Sequence, residues 1–323
     1  MEKYDLLVVG AGATGLHASR VASKNNLKTI MIETSNDIGG QISKFYPEKT
    51  ISNLPFINDI IAKNLVNNMN ENIKNQKNLK FLPNLGIDNI ETINDEKYEK
   101  TFNVTFSNTK KVNFIRILLC LGAGQLEPIR ADDFEYDNII YNVKDLSQFA
   151  NRKVIILGGG NSAIDFANEI VNFTKDVYLV HRREEFRTTQ AEIDKMVKNK
   201  VNIFADWVVV DKEIINNCIK SILIRNNKNK EEKWIKCDKI IIAYGFIAKK
   251  CALKGLEDLV LDERKRIVVN ENNLTSRPYI YAAGDCCSYK GKIWNILSTQ
   301  YESEKAVLNI EKEIRKSARV IGW

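Results

Sequence analysis

Two glycine-rich turns, each preceded by a short apolar run and followed by a helix-forming stretch, constrain this chain more than anything else in it. The first reads Val8-Val9-Gly10-Ala11-Gly12-Ala13-Thr14-Gly15. The second reads Ile156-Leu157-Gly158-Gly159-Gly160-Asn161-Ser162-Ala163. In such a motif the first glycine (Gly10, Gly158) makes a tight strand-to-helix turn. The second (Gly12, Gly160) lets the backbone approach a pyrophosphate, and the third position (Gly15, Ala163) permits close helix packing. Asn161 and Ser162 open the second helix, whose backbone N–H groups and positive dipole end suit a phosphate. A single copy also reads as a plain turn with no ligand; two copies in matched settings point to dinucleotide binding.

The residue that would meet the ribose differs between the copies. Glu33 lies 23 residues after Gly10, and Arg182 lies 24 after Gly158, with His181, Arg183 and Arg187 beside it. An acid at that place accepts hydrogen bonds from a free ribose hydroxyl, whereas arginines suit a 2′-phosphate. A solvated charge run is the alternative for the arginines, but they follow a strand end, where a ribose edge belongs. The chain is therefore expected to hold two different dinucleotides. FAD with NADP(H) is the pair that fits, with NADPH preferred over NADH.

At 323 residues, 44% hydrophobic and 28% charged, the chain has room for two soluble domains. No apolar run reaches the roughly 20 residues that span a bilayer. The run from Leu6 to Ala13 follows Glu2, Lys3 and Asp5 and enters the glycine turn, so it reads as a strand and not a signal peptide. The six cysteines show no disulfide or metal spacing, which fits a reduced, cytoplasmic setting. With two histidines only, histidine metal sites and most histidine catalysis are disfavoured. The net charge of +7 reads as either a lysine-rich solvated surface or a face that steers an acidic partner. No nucleic-acid motif accompanies it.

Periodicity predicts strand, helix, strand over residues 5–33, a helix near 60–75, and antiparallel strands between 78 and 120. A second strand–helix–strand unit starts at Arg152, with β-rich chain from 201 to 236 and a closing strand at 239–244. The apolar strand Tyr279-Ile280-Tyr281-Ala282-Ala283-Gly284-Asp285 comes last, followed by a helix over about 298–316. That strand needs a parent sheet, and the second unit already has one. The expected fold is α/β, with two three-layer Rossmann-like nucleotide-binding domains, the second inserted into the first. Residues 1–120 and 248–323 would bind FAD and residues 121–247 NADP. Asp285 reads either as a strand-end cap or as a contact to the ribitol or pyrophosphate of FAD at the carboxyl ends of the strands.

The two glycine motifs, Gly39-Gly40-Gln41, the His181-Arg182-Arg183 … Arg187 cluster and Ala282-Ala283-Gly284-Asp285 together resemble the thioredoxin-reductase-like flavoproteins. Within them, Phe45-Tyr46-Pro47-Glu48-Lys49 and Tyr289-Lys290-Gly291-Lys292 resemble the ferredoxin (flavodoxin)–NADP reductases. The resemblance covers nearly the whole chain. It implies a homodimer with non-covalent FAD that exchanges hydride with NADPH and single electrons with a small acidic ferredoxin or flavodoxin. No side chain would perform acid–base chemistry. By resemblance Glu33 holds the adenosine ribose of FAD, while Gln41, Asn53 and Leu126 lie along the cofactor. Tyr46 stacks on one isoalloxazine face; plain loop packing is its other reading.

Two departures stand out. A glycine-rich Gly-Phe-Gly-Glu-Ala-like turn against the flavin is replaced by Thr299-Gln300-Tyr301-Glu302-Ser303, and Thr299 takes its first place at the cofactor. The chain also stops at Trp323, which reads as an aromatic lid over the other flavin face or as a frayed end. Thioredoxin reductases need a Cys-x-x-Cys pair, and residues 121–160 contain no cysteine. The adjacent Cys286 and Cys287 are expected to be small buried thiols. Two other functions stay open: a flavin-dependent disulfide or small-molecule reductase, and a non-catalytic redox sensor suggested by the altered turn.

Overall fold

Lys3–Val9 forms the first strand, and its last four residues, Leu6 to Val9, are buried on both sides. A strand of that kind belongs to the middle of a parallel sheet. The computed structural model describes residues 2–45, 47–55, 57–131, 134–249 and 254–315. The chain divides into two units: one runs to Gln125 and resumes at Lys249, and the other is Leu126–Ala248.

In the first unit the parallel strands run in the order Leu79–Leu82, Thr29–Ile32, Lys3–Val9, Lys111–Leu119. Leu79–Leu82 was expected among antiparallel strands. It pairs parallel with Thr29–Ile32 instead, because the helix Ala62–Lys74 carries the chain across between them. The strand Lys111–Leu119 takes two neighbours on its far side. Glu99–Phe106 pairs antiparallel with its first part, Phe102 facing Phe114. Ile280–Ala282 pairs parallel with its last part, Ala282 facing Leu119. The strand that ends before Asp285 thus finds its parent sheet in the first unit. Ile87–Asp95 extends the antiparallel arm.

Helices Ala13–Lys24 and Ile296–Arg315 cover one face, packing Leu16, Ala18, Ala22, Ala306, Val307 and Ile310 against Leu6, Val8 and Leu118. The opposite face packs Leu7, Val9 and Ile117 under Phe102, Val104 and Phe106 of the antiparallel arm. The final helix begins at Ile296, so Thr299–Ser303 are its second turn and not a loop.

The second unit has a five-stranded parallel sheet in the order Ile139–Ile140, Lys239–Ile242, Val154–Leu157, Val177–His181, Asn202–Ala205. Helices Asn161–Ile170 and Gln190–Lys198 lie on one face. The antiparallel strands Trp207–Ile215, Cys218–Asn226 and Glu232–Lys236 cover the other with Ile219, Ile222, Ile224 and Ile235. Each unit is therefore three layers. The segments that join them, Gln125–Pro128 and Phe246–Lys249, pair as a two-stranded ribbon.

One buried charge ties the final helix of the first unit to its sheet. Arg116, in the middle of the strand Lys111–Leu119, is 3% exposed and pairs with Glu313 at 2.5 Å. Its guanidinium stacks on Tyr279, and the Tyr281 hydroxyl donates to the other Glu313 oxygen at 2.6 Å. Removing one partner of a buried pair leaves the other desolvated. Glu313 keeps about a third of its side chain in water, so we expect Arg116→Met to cost about 2 kcal/mol and not the larger penalty of a fully buried pair. Thermal unfolding measures it; an unchanged midpoint would refute the lock.

Candidate nucleotide-binding sites

The two glycine turns share one construction. Gly10 has φ +107° and Gly158 φ +146°, a region that side chains avoid. A Cβ at Gly10 would lie 2.4 Å from the Cys120 carbonyl oxygen, and one at Gly158 the same distance from that of Ala243. Each turn is pressed onto the chain just after the neighbouring strand. At Gly15 a Cβ would come within 1.8 Å of the Gly10 carbonyl oxygen. The second unit relaxes that third position enough to accept Ala163. The middle glycines behave differently. A Cβ at Gly12 would meet only the Gly40 Cα at 3.8 Å, and one at Gly160 would meet nothing within 4 Å. Protein packing does not demand glycine there, whereas close approach of a phosphate to the backbone would. Gly12 and Gly160 are also the N-caps, and neither helix has an acid in its first turn. Both helix starts are therefore open to an anion.

In the first unit Glu33 turns its carboxylate to the glycine turn, where Oε2 accepts the Ala11 N–H at 2.9 Å and Oε1 accepts the Ser35 N–H at 3.1 Å. Gly39 donates to the Ala11 carbonyl at 2.8 Å, and this bridge brings Gly40 and Gln41 to Gly12. Gln41 donates to Asp285 Oδ2 at 2.9 Å across 244 residues of sequence. Gly284, at φ +82°, packs on Thr14 of the first helix; a Cβ there would lie 2.5 Å from Thr14 Oγ1. Gly10, Gly12, Gly15, Glu33, Gly40, Gln41 and Asp285 thus surround one helix N-terminus. Thr299 is buried in the final helix, its hydroxyl donating to the Ile296 carbonyl at 2.9 Å. Asn53 is exposed in a loop, with no bond to this group. Leu126 lies in the crossing strand. Tyr46 and Trp323 lie outside the described residues.

In the second unit the arginine loop is fastened by its backbone. Arg187 N–H donates to the Gly159 carbonyl at 2.8 Å, the Arg183 carbonyl accepts from Asp206 N–H at 2.9 Å, and the Arg182 carbonyl accepts from Asn227 at 3.1 Å. The three guanidinium side chains are exposed and form no ion pair among the described residues. His181 fills the slot beneath them. Its ring stacks on Phe186 at 5.4 Å, and any Cβ at Gly159 would overlap it at 2.4 Å. Gly159, the central residue of the triple glycine, thus makes room for the His181 ring.

Sequence reasoning missed Glu302. Its side chain is fully buried and bonds Lys292, Tyr289 and the Gly284 N–H. The signal was present: Thr299, Glu302, Ser303, Ala306, Val307 and Ile310 follow helical spacing, which places an acid in an apolar stripe. Burial also governs the thiols. It pushes the Cys286 pKa up to about 12 and raises those of Cys120 and Cys287 well above the ordinary thiol value. Such thiols stay protonated and are poor nucleophiles.

The family model for pyridine nucleotide-disulphide oxidoreductases matches residues 4–306. The chain is 34% identical over 308 residues to the ferredoxin–NADP reductase of Acholeplasma laidlawii, covering 95% of this chain and 93% of that one. It is 32% identical to the ferredoxin–NADP reductase of Lactobacillus gasseri, covering 97% and 96%. Among solved structures it resembles T. acidophilum thioredoxin reductase, with a TM-score of 0.80 at 20% identity and coverage of 97% and 99%. At that identity the likeness speaks to the fold alone.

Two outcomes follow from the geometry. Gly15→Ala should cost about 3 kcal/mol, because the overlap is with backbone that cannot move aside; a cost below 1 kcal/mol on chemical unfolding would contradict the turn described. Burial, reinforced by Arg183, Arg182 and Arg187, lowers the His181 pKa below 6.5. The unfolded chain then takes up a proton that the folded one resists, so stability present above pH 6.5 is lost as pH falls through the interval down to the folded value. His181→Phe should remove that part: between pH 7 and pH 5 the melting temperature of wild type should fall by more than that of the variant.

Proposed function

Because the chain belongs to the pyridine nucleotide-disulphide oxidoreductase family, we propose that it carries electrons between NADPH and a ferredoxin or flavodoxin by way of FAD. The observation that carries the reading is the contrast between the two turns. Glu33 offers a carboxylate beside the first, and Arg182, Arg183 and Arg187 stand beside the second. The open faces at Gly12 and Gly160 fit the pyrophosphates of FAD and NADP(H).

FAD, when bound, links the two-electron chemistry of NADPH to single-electron exchange with the carrier. The chain's own residues bind and orient. Glu33 accepts hydrogen bonds from the adenosine ribose, and Asp285 with Gln41 holds the nucleotide where the strands end. Asn53, Leu126 and Thr299 lie further along it, with Tyr46 and Trp323 as the aromatic faces. Asn161 and Ser162 open the helix that meets the NADP pyrophosphate, and the arginines clasp the 2′-phosphate. FAD belongs to residues 1–120 and 248–323 and NADP to 121–247. A dithiol substrate is less well supported, because Cys120, Cys286 and Cys287 are buried and held protonated. The net charge of +7 favours encounter with an acidic carrier. The resemblance supports a homodimer working in the cytoplasm.

NADPH-driven cytochrome c reduction by the FAD-loaded protein, with and without added ferredoxin or flavodoxin, tests the reading. Strong stimulation by a carrier is expected; dye reduction with no response to either carrier would refute the partner. Arg182→Ala should lower kcat/KM for NADPH about tenfold or more while changing that for NADH little, since charge-assisted hydrogen bonds to the extra phosphate are what it removes. Equal losses with both coenzymes would overturn the assignment of the arginines.

A further inference from the structure

The final helix points a carboxylate into the first unit. Glu302 Oε2 accepts the Gly284 N–H at 2.8 Å. Its Oε1 accepts the Lys292 ammonium at 2.5 Å and the Tyr289 hydroxyl at 2.9 Å. Cys287 Sγ lies 3.6 Å from both Glu302 and Lys292. The Lys292 side chain is 2% exposed and that of Glu302 0%.

Two buried charges are an expensive way to join a helix to a loop, since an apolar pair of similar volume does so at least as well. The carboxylate does something an apolar group cannot. It bonds both ends of the segment from Gly284 to Lys292, and one of those bonds goes to the backbone N–H immediately before Asp285. Gly284 is at the same time wedged on Thr14 at the first glycine turn, and Asp285 accepts from Gln41. Fixing the Gly284 amide therefore fixes where Asp285 and Gln41 stand relative to the helix N-terminus after Gly12. Lys292 is the counter-charge that faces the carboxylate in that dry setting, and Tyr289 donates to the same oxygen.

We propose that Glu302 is a positioning residue for the flavin-nucleotide site, acting through the Gly284–Asp285 backbone, with Lys292 as its counter-charge. This rests on the reading that the first unit holds FAD. Neither side chain needs to touch the nucleotide.

The test separates stability from cofactor affinity. The double variant K292M/E302L replaces the pair with apolar groups of similar size, K292M/E302Q keeps a neutral acceptor for the Gly284 N–H, and E313Q loosens the same helix away from the site. FAD dissociation constants come from flavin fluorescence on titration, and melting temperatures from the apoprotein. K292M/E302L should melt within a few degrees of wild type yet bind FAD at least about tenfold more weakly, and K292M/E302Q should recover part of that loss. E313Q should melt lower and bind FAD as wild type does. Tyr289→Phe removes one hydrogen bond to the same carboxylate and gives the same comparison in a milder form, weakening FAD about threefold. Wild-type FAD affinity in both K292M/E302L and Tyr289→Phe, or a loss in every variant that only tracks melting temperature, would overturn the proposal. A wild-type chain that takes up no FAD would instead sink the reading beneath it.

Discussion

At both turns a glycine backbone lies directly on the carbonyl oxygen that ends the neighbouring stretch of sheet, Gly10 on Cys120 and Gly158 on Ala243. Much of each unit follows from that contact. It is backbone against backbone, so no change of rotamer relieves a side chain placed there. It fixes the line along which the first helix leaves the sheet. With that line fixed, the middle glycine of each motif faces open space and the helix N-terminus sits at the carboxyl ends of the strands, where ligands of such sheets bind. The neighbouring strand must also be the right one. In the first unit it is Lys111–Leu119, which reaches the turn only because the antiparallel arm returns the chain to the centre of the sheet.

The two units use this shared frame with opposite electrostatics. In the first, Glu33 bends in to the turn and accepts the Ala11 amide, so its carboxylate is held before any ribose arrives. In the second, the arginine loop is pinned through its backbone at Gly159, Asp206 and Asn227 while the guanidinium groups stay in water. A carboxylate that reads hydroxyls gains from being fixed, because a neutral hydroxyl is recognised through the direction of its hydrogen bond and not through net charge. Arginines that meet a dianionic phosphate tolerate more freedom, because charge carries much of the attraction.

The frame was legible in the sequence because its signals are local. Glycine spacing, apolar runs and the acid or base after the second strand all lie within short windows. The insertion was legible too, since the strand Ile280–Ala282 has nowhere else to pair. Long-range pairing was not. Leu79–Leu82 is a short run of mixed polarity, and nothing within it says that its neighbour is Thr29–Ile32 and parallel. Arg116 sits amid Ile115 and Ile117 and looks like an interruption until Glu313, 197 residues away, is brought beside it. The segment Thr299–Ser303 stands where the resemblance puts a turn, yet it lies within the helix read over about 298–316, and Glu302 then falls on the buried stripe.

The chain belongs to a family named for disulphide chemistry, and the thiols of Cys120, Cys286 and Cys287 are buried. Cys286 and Cys287 follow Asp285 in sequence, and the Cys120 backbone lies against Gly10. Burial raises the pH at which all three would ionise, so they stay protonated. Cys286 donates to the Leu119 and Ala283 carbonyls at 3.3 and 3.2 Å, which uses the thiol as a structural donor at the sheet end. Lys292, whose ammonium lies 3.6 Å from Cys287 Sγ, would favour a thiolate if it were unpaired. Glu302 takes that charge for itself at 2.5 Å. The buried ion pair thus engages the charge beside Cys287 Sγ while its carboxylate also holds the Gly284 N–H, so one interaction serves both the sulfur's surroundings and the loop.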